Sequence, residues 1–114
     1  MTVTLTALEL AECFRDGAYS PVESAEEALD AIERVDGRIN AFCHVDREAT
    51  LAEAGRSEER YRSGAPLGPL DGVPTSIKDI FYTRGVPTLR GSHLLADKPG
   101  ATDPASWPDD APVT

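Results

Sequence analysis

The sequence predicts an α/β fold in which helices come first and apolar, strand-like segments follow. Two observations indicate the helical part: hydrophobic residues recur at helical spacing over the first half of the chain, and a Ser, Thr or Asp precedes each such stretch. A third indicates a change of structure, because eight of the nine prolines and six of the nine glycines fall at or after position 64. We therefore divide the chain into a helical region, 1–63, a strand and loop region, 64–96, and a polar, proline-rich tail, 97–114.

The first helix is predicted over Ala7–Asp16. Thr6 and Glu9 have the spacing of a capping box, and Gly17 is a suitable residue to end the helix. Its apolar residues repeat at helical spacing: Ala7, Leu10, Ala11 and Phe14. This face is expected to pack in a core.

The second helix has a stronger start signal. Ser20 is a good N-cap, Pro21 suits the first turn, and Glu23 completes a capping box. The pattern predicts that the helix ends at Gly37. One face carries the apolar residues Ala25, Ala28, Leu29, Ile32 and Val35.

A short strand and a third helix are predicted next. Apolar residues alternate over Ile39–Val45, which indicates a strand. Asp46 then caps a helix that runs to about Tyr61, and Glu58 and Arg62 have the spacing of a favourable ion pair.

The segment Val73–Phe81 is predicted to be a strand that is apolar on both faces. It follows a linker rich in proline and glycine, 63–70. Such a strand needs neighbours on both edges, and the chain offers only Ile39–Val45 as a partner. The sequence therefore suggests that part of the sheet is supplied from outside these residues.

Charge and composition exclude several classes of function. The chain has a formal net charge of −9, and its Lys and Arg residues are not clustered, which argues against nucleic acid or an anionic membrane as a partner. It has no apolar run near the roughly 20 residues that span a bilayer, and the N-terminus does not resemble a signal peptide, so we expect a cytoplasmic protein. Two cysteines without a CxxC motif, and no histidine at ligand spacing, give no indication of a metal site or another cofactor.

Lys78 is the main candidate for chemistry. The chain has two lysines against nine arginines, and this one stands in an apolar run. A desolvated lysine can lose its proton and act as a base, which arginine cannot do. Asp79 could hold the ammonium group nearby. The competing interpretation is an ordinary solvated side chain.

Two motifs around this lysine resemble the N-terminal part of amidase signature enzymes. The run G-x-P-x-x-x-K-D occupies 72–79, and G-x-P-T-x-x-G-S follows at 85–92. The opening helices, the INAFCHV segment at 39–45 and the DAPV motif at 110–113 are similar to that family in order and spacing.

The resemblance implies a mixed sheet wrapped by helices and hydrolysis or transfer at a carboxamide carbon. The family's catalytic unit is a Ser-Ser-Lys triad, and Lys78 matches its lysine. Both serines of the family lie in a Gly/Ser-rich segment beyond the DAPV motif, and this chain ends at Thr114. We therefore expect the N-terminal portion of an amidase, inactive alone, that meets an amide substrate only when a C-terminal portion or a complementing chain completes it. The sequence identifies no substrate-binding residue.

Two alternatives remain at this point. Ser76 and Lys78 would share one face of a strand and could form a compact dyad, although nothing nearby supplies an oxyanion hole. The chain could also be a non-catalytic binding or scaffolding module. Asp71 stands where the family often has histidine, outside the triad.

Overall fold

The computed structural model describes residues 4–81, 83, 86–92 and 94. These residues fall into two compact units, one formed by residues up to 75 and the other by residues from 76 onward. The first unit contains three α-helices: α1 (Ala7–Asp16), α2 (Pro21–Ile39) and α3 (Arg47–Arg62). The tail predicted at 97–114 lies outside the described residues. No helix in the described part is long and apolar enough to cross a membrane.

The bounds predicted for α1 are confirmed. The Thr6 hydroxyl accepts a hydrogen bond from the Glu9 N–H at 3.3 Å, and the Glu9 carboxylate accepts one from the Thr6 N–H at 2.7 Å. The bond from the Thr6 N–H to the charged carboxylate is the main cause of the lowered pKa of Glu9. At the other end Gly17 adopts φ = 72°, which glycine allows without strain.

The start of α2 is also as predicted. The Ser20 hydroxyl accepts from the Glu23 N–H at 3.1 Å, and the Glu23 carboxylate accepts from the Ser20 N–H at 2.9 Å. The helix does not end at Gly37, however, but continues to Ile39. The prediction of a stop at the glycine is wrong, since glycine weakens a helix without preventing it.

Asp36 explains both the later end of α2 and the absence of the strand predicted over Ile39–Val45. The Asp36 carbonyl accepts from the Asn40 N–H at 2.7 Å, and its carboxylate accepts from the N–H groups of Ala41 and Phe42 at 2.7 and 3.2 Å. Three successive backbone donors are therefore bonded to one residue and cannot join a β-ladder. The predicted strand is wrong.

Helix α3 begins where the sequence predicts. The Asp46 carboxylate caps it by accepting from the Ala49 N–H at 2.9 Å. Just inside the cap, Arg47 pairs with Asp30 at 2.6 Å and with Glu33 at 3.0 Å, both on α2. These exposed ion pairs join the start of α3 to the side of α2.

The core of the first unit is small and lies where α2 packs on α3, with α1 contacting α3 beside it. Its buried apolar residues are Ala11, Phe14, Ala25, Leu29 and Ala54. Phe14 makes an edge-to-face contact with Tyr61 of α3, with ring centroids 5.9 Å apart. The small side chains of the three alanines let the helices approach closely.

The apolar face predicted for α2 is buried only in its first half. Ala25 and Leu29 are buried, whereas Val35 is 44% exposed, and Ile39, one turn further on, is 64% exposed. We call Val35 and Ile39 the exposed face of α2. The helices described here do not cover it.

Candidate active site

Lys78 lies at the start of a tight turn in the second unit. Its backbone carbonyl accepts hydrogen bonds from the N–H groups of Ile80 at 2.7 Å and Phe81 at 3.1 Å. The Lys78 side chain is exposed. The turn thus fixes the backbone beside the lysine while its side chain meets solvent.

The strand predicted over Val73–Phe81 is not formed, and this prediction is wrong for the described residues. The predicted apolar surroundings of Lys78 are also incomplete, because Ile80 and Phe81 are each 45% exposed. A strand with two covered faces needs neighbouring strands and covering layers. The described part of the chain supplies neither.

Two hydrogen bonds join the second motif to the end of the lysine motif and to the residues directly after it. The Asp79 carboxylate accepts from the Leu89 N–H at 3.1 Å. The Thr88 hydroxyl donates to the Phe81 carbonyl at 3.2 Å, and Thr88 is buried. The segment after Lys78 is therefore held against the segment around Thr88. The order of the two motifs in the sequence did not predict this contact.

A turn at the end of the second motif explains its last glycine. The Ser92 N–H donates to the Leu89 carbonyl at 2.8 Å, and the two residues between them have positive φ, 48° at Arg90 and 75° at Gly91. Positive φ at both central positions is the geometry of a type I′ turn. Glycine at the second of these positions avoids the steric cost that another residue would have. Gly85, the first glycine of this motif, lies outside the described residues.

The structure does not assemble the two pairings considered for Lys78. The Asp79 carboxylate bonds to the Leu89 backbone, and no ion pair joins it to Lys78 within the described residues. Ser76 is exposed and, in the same part of the chain, makes no hydrogen bond to Lys78. The compact dyad therefore receives no support from the geometry.

Asp71 is a residue whose importance the sequence did not indicate. Its side chain is only 1% exposed, although it is charged. It accepts two hydrogen bonds from the Arg60 guanidinium, at 2.7 and 2.8 Å, one from the Ser57 hydroxyl at 2.9 Å, and one from the Leu67 N–H at 3.0 Å. Tyr61 adds a bond from its hydroxyl to the Asp71 carbonyl at 2.8 Å. Asp71 therefore fastens the linker to α3.

These contacts stabilise the charged form of Asp71. The hydrogen bonds from Arg60, assisted by those from Leu67 and Ser57, lower the pKa of Asp71 from 3.8 to about 2, against the opposing effect of burial. A buried carboxylate with a bidentate arginine partner is a well-satisfied ion pair. The available sequence signal is a lone acid, directly after the linker, between Leu70 and Gly72.

Gly72, the first glycine of the lysine motif, is required by its surroundings. It has φ = 82°, and a Cβ atom placed there would lie 2.5 Å from the Ser57 hydroxyl oxygen and 2.9 Å from Cγ of Pro21. Any side chain would therefore collide with α3 and with the first turn of α2. The glycine lets the backbone lie close to both helices.

The described residues contain no group of three or more His, Cys, Asp or Glu side chains arranged to hold a metal ion. The polar groups near Lys78 bind backbone atoms instead. Their arrangement can fix a lysine-bearing turn, and nucleophile chemistry would require further groups.

Known proteins resemble this chain over most of its length. A family model described as Amidase matches residues 23–106. A glutamyl-tRNA(Gln) amidotransferase subunit from Salinispora tropica is 47% identical over 94 residues, which cover 82% of this chain and 19% of that protein. The corresponding protein from Streptomyces coelicolor is 46% identical with the same coverage. This chain thus spans about a fifth of the length of these relatives.

A solved structure agrees with the sequence matches. It comes from a vestigial protein complex connected with the evolutionary origins of an s-triazine catabolic enzyme, and it is 37% identical to this chain with a TM-score of 0.79. The superposition covers 85% of this chain and 21% of that one. Because the family match extends over far more than half of its residues, this chain belongs to the amidase signature family.

Proposed function

We propose that this chain forms the lysine-bearing part of an amidase-type hydrolase that cleaves carbon–nitrogen bonds of carboxamides. The observation that carries the proposal is the motif around Lys78, which lies inside the residues matched by the family. The hydrogen bonds that join residues 79–81 to the segment 86–92 support it, because they give the backbone beside the lysine a defined position.

In the proposed reaction Lys78 is the final proton acceptor of a Ser-Ser-Lys triad. One serine attacks the amide carbonyl carbon, its proton passes to the second serine, and that serine releases its own proton to the neutral amine of Lys78. An adjacent base is needed because a hydroxyl at its ordinary pKa is a weak nucleophile. The amine later returns a proton, through the same route, to the departing nitrogen.

The two serines of this triad are proposed to lie in a Gly/Ser-rich segment outside the 114 residues. The same part of the complete protein would contribute strands of a mixed sheet and would cover Lys78, whose side chain is exposed here. The matched relatives are named as one subunit of an amidotransferase, which supports a complementing chain as a partner.

A test of this role uses the enzyme completed by its C-terminal portion, supplied in cis or in trans. Lys78→Arg keeps the charge but cannot release its proton, so we expect activity to fall as far as in Lys78→Ala, roughly 100- to 10,000-fold. Lys98→Arg is the matched control: this second lysine lies outside both motifs, so the same substitution should leave activity nearly unchanged. Retention of most activity by a folded Lys78→Arg enzyme would show that the assignment is wrong.

The isolated chain provides a second test. It should not hydrolyse a simple aryl amide, because a base without its nucleophile supplies little catalysis. Sustained turnover by highly purified chain that is lost in Ser76→Ala would establish the compact dyad instead.

A non-catalytic scaffold is the second candidate, and the exposure of Lys78 favours it. A module that only binds a partner through its helices does not need this lysine desolvated. It predicts that Lys78→Ala and Lys78→Arg leave the activity of the completed protein unchanged.

A further inference from the structure

The carboxylate of Asp79, next to Lys78 in the sequence, does not pair with the lysine. Asp79 directly follows the lysine and would be a natural counterion for it. Its Oδ1 atom instead accepts a hydrogen bond from the Leu89 N–H at 3.1 Å. No ion pair between Asp79 and Lys78 occurs among the residues that the structure describes.

A second bond joins the same two segments on the other side of the turn. The Thr88 hydroxyl donates to the carbonyl of Phe81 at 3.2 Å, and Thr88 is 8% exposed. Asp79 and Phe81, the two bonded positions, both belong to the tight turn at Lys78. In this turn the N–H groups of Ile80 and Phe81 donate to the Lys78 carbonyl. The backbone next to the lysine is therefore held at two points.

From this arrangement we propose that Asp79 and Thr88 are positioning residues for Lys78. They fix the turn that begins at the lysine by fastening it to the 86–92 segment, and neither one touches the reacting atoms. This inference rests on the proposed function of Lys78 as a base. Its chemical basis is that a catalytic group must be held in a narrow range of positions, and a displacement of about 1 Å can cost roughly 100-fold in rate.

The two possible roles of Asp79 make different demands on its side chain. A latch for the Leu89 N–H needs only an oxygen acceptor, which asparagine keeps. A counterion for the lysine needs the negative charge, which asparagine loses. Asp79→Asn and Asp79→Ala in the completed enzyme therefore separate the two roles.

For the positioning role we expect Asp79→Ala to lower kcat by roughly 10- to 100-fold with little change in KM. Asp79→Asn should stay within a few-fold of the parent enzyme and keep the shape of its pH–rate profile. If Asp79→Asn is as damaging as Asp79→Ala, or displaces the pH–rate profile, Asp79 acts through its charge and the proposal is overturned.

Thr88 gives an independent pair of variants, which decides the matter if Asp79→Ala fails to fold. Thr88→Ser keeps the donor to Phe81, whereas Thr88→Val keeps the shape and removes the donor. We expect a fall in kcat for Thr88→Val and near-normal activity for Thr88→Ser; equal activity of the two would refute the role of this bond. Lys78→Ala is measured in parallel. If Lys78→Ala is fully active, the proposed function itself has failed. If Lys78→Ala is inactive but Asp79→Ala is fully active, only the positioning role is overturned.

Discussion

Replacing Asp71 with asparagine should loosen the linker at neutral pH and have almost no effect in acid. Asparagine has nearly the same shape, but it carries no charge for Arg60 and presents an NH₂ group where the carboxylate accepted hydrogen bonds. The Arg60 side chain is only 23% exposed, so water replaces its lost partner poorly.

The size of the effect follows from the pKa of Asp71. Lowering it from 3.8 to about 2 on folding corresponds to about 2 kcal/mol of stability, since each pKa unit is worth about 1.4 kcal/mol. The folded-state pKa is the lower one, so this contribution is complete above pH 3.8 and is lost as the pH falls towards about 2. At neutral pH, Asp71→Asn should therefore raise the opening constant of the linker by roughly 30-fold.

Site-resolved hydrogen exchange of the Leu67 N–H measures this opening directly, because that group donates to the Asp71 carboxylate. The difference in protection between the two proteins should shrink as the pH is lowered. Asp30→Asn is the matched control: Asp30 also pairs with an arginine, but its side chain is 52% exposed, and its loss should change little. Equal protection of Leu67 at neutral pH, or a difference that persists at about pH 2, would refute the reasoning.

Two further predictions concern the first unit and the chain as a whole. Gly72→Ala combines a positive φ with contact against Ser57 and Pro21, and should cost about 2 to 4 kcal/mol of local stability by hydrogen exchange. Gly64→Ala is its control, because Gly64 also has a positive φ but no atom lies within 4 Å of the added Cβ. This substitution should cost only about 1 kcal/mol. Equal effects of the two substitutions would mean that the packing around Gly72 is unimportant. The isolated chain should bind an apolar dye and unfold without a sharp transition, because the described helices leave the exposed face of α2 uncovered. Cooperative two-state melting of a dispersed monomer would contradict this last expectation.

The helix starts could be predicted because their causes are local. The partners in the two capping boxes, Thr6 with Glu9 and Ser20 with Glu23, are three residues apart, so the sequence contains the whole interaction. The end of α2 could not be predicted in the same way. The bonds from the backbone to Asp36 depend on the direction of its carboxylate. The alternation of apolar residues over Ile39–Val45 does not indicate that direction.

In the candidate site, too, local features could be predicted and contacts between distant residues could not. Lys78 could be found because it is one of two lysines and lies in a recognisable motif. Its exposure in the described structure could not, since burial depends on neighbours distant in sequence. The role of Asp71 could not be predicted because its partners, Arg60 and Ser57, precede it by 11 and 14 residues and contact it only once α3 and the linker have come together.

The network at Asp71 also has a consequence for the order in which the protein is made. All of its hydrogen-bond donors, from Ser57 to Leu67, precede it in the chain, and the helices that surround Gly72 precede it as well. Contacts between residues close in sequence form quickly, whereas a ribosome adds only about 5 to 20 residues each second. The anchoring of the linker on its helices thus needs no residue of the motif at 86–92.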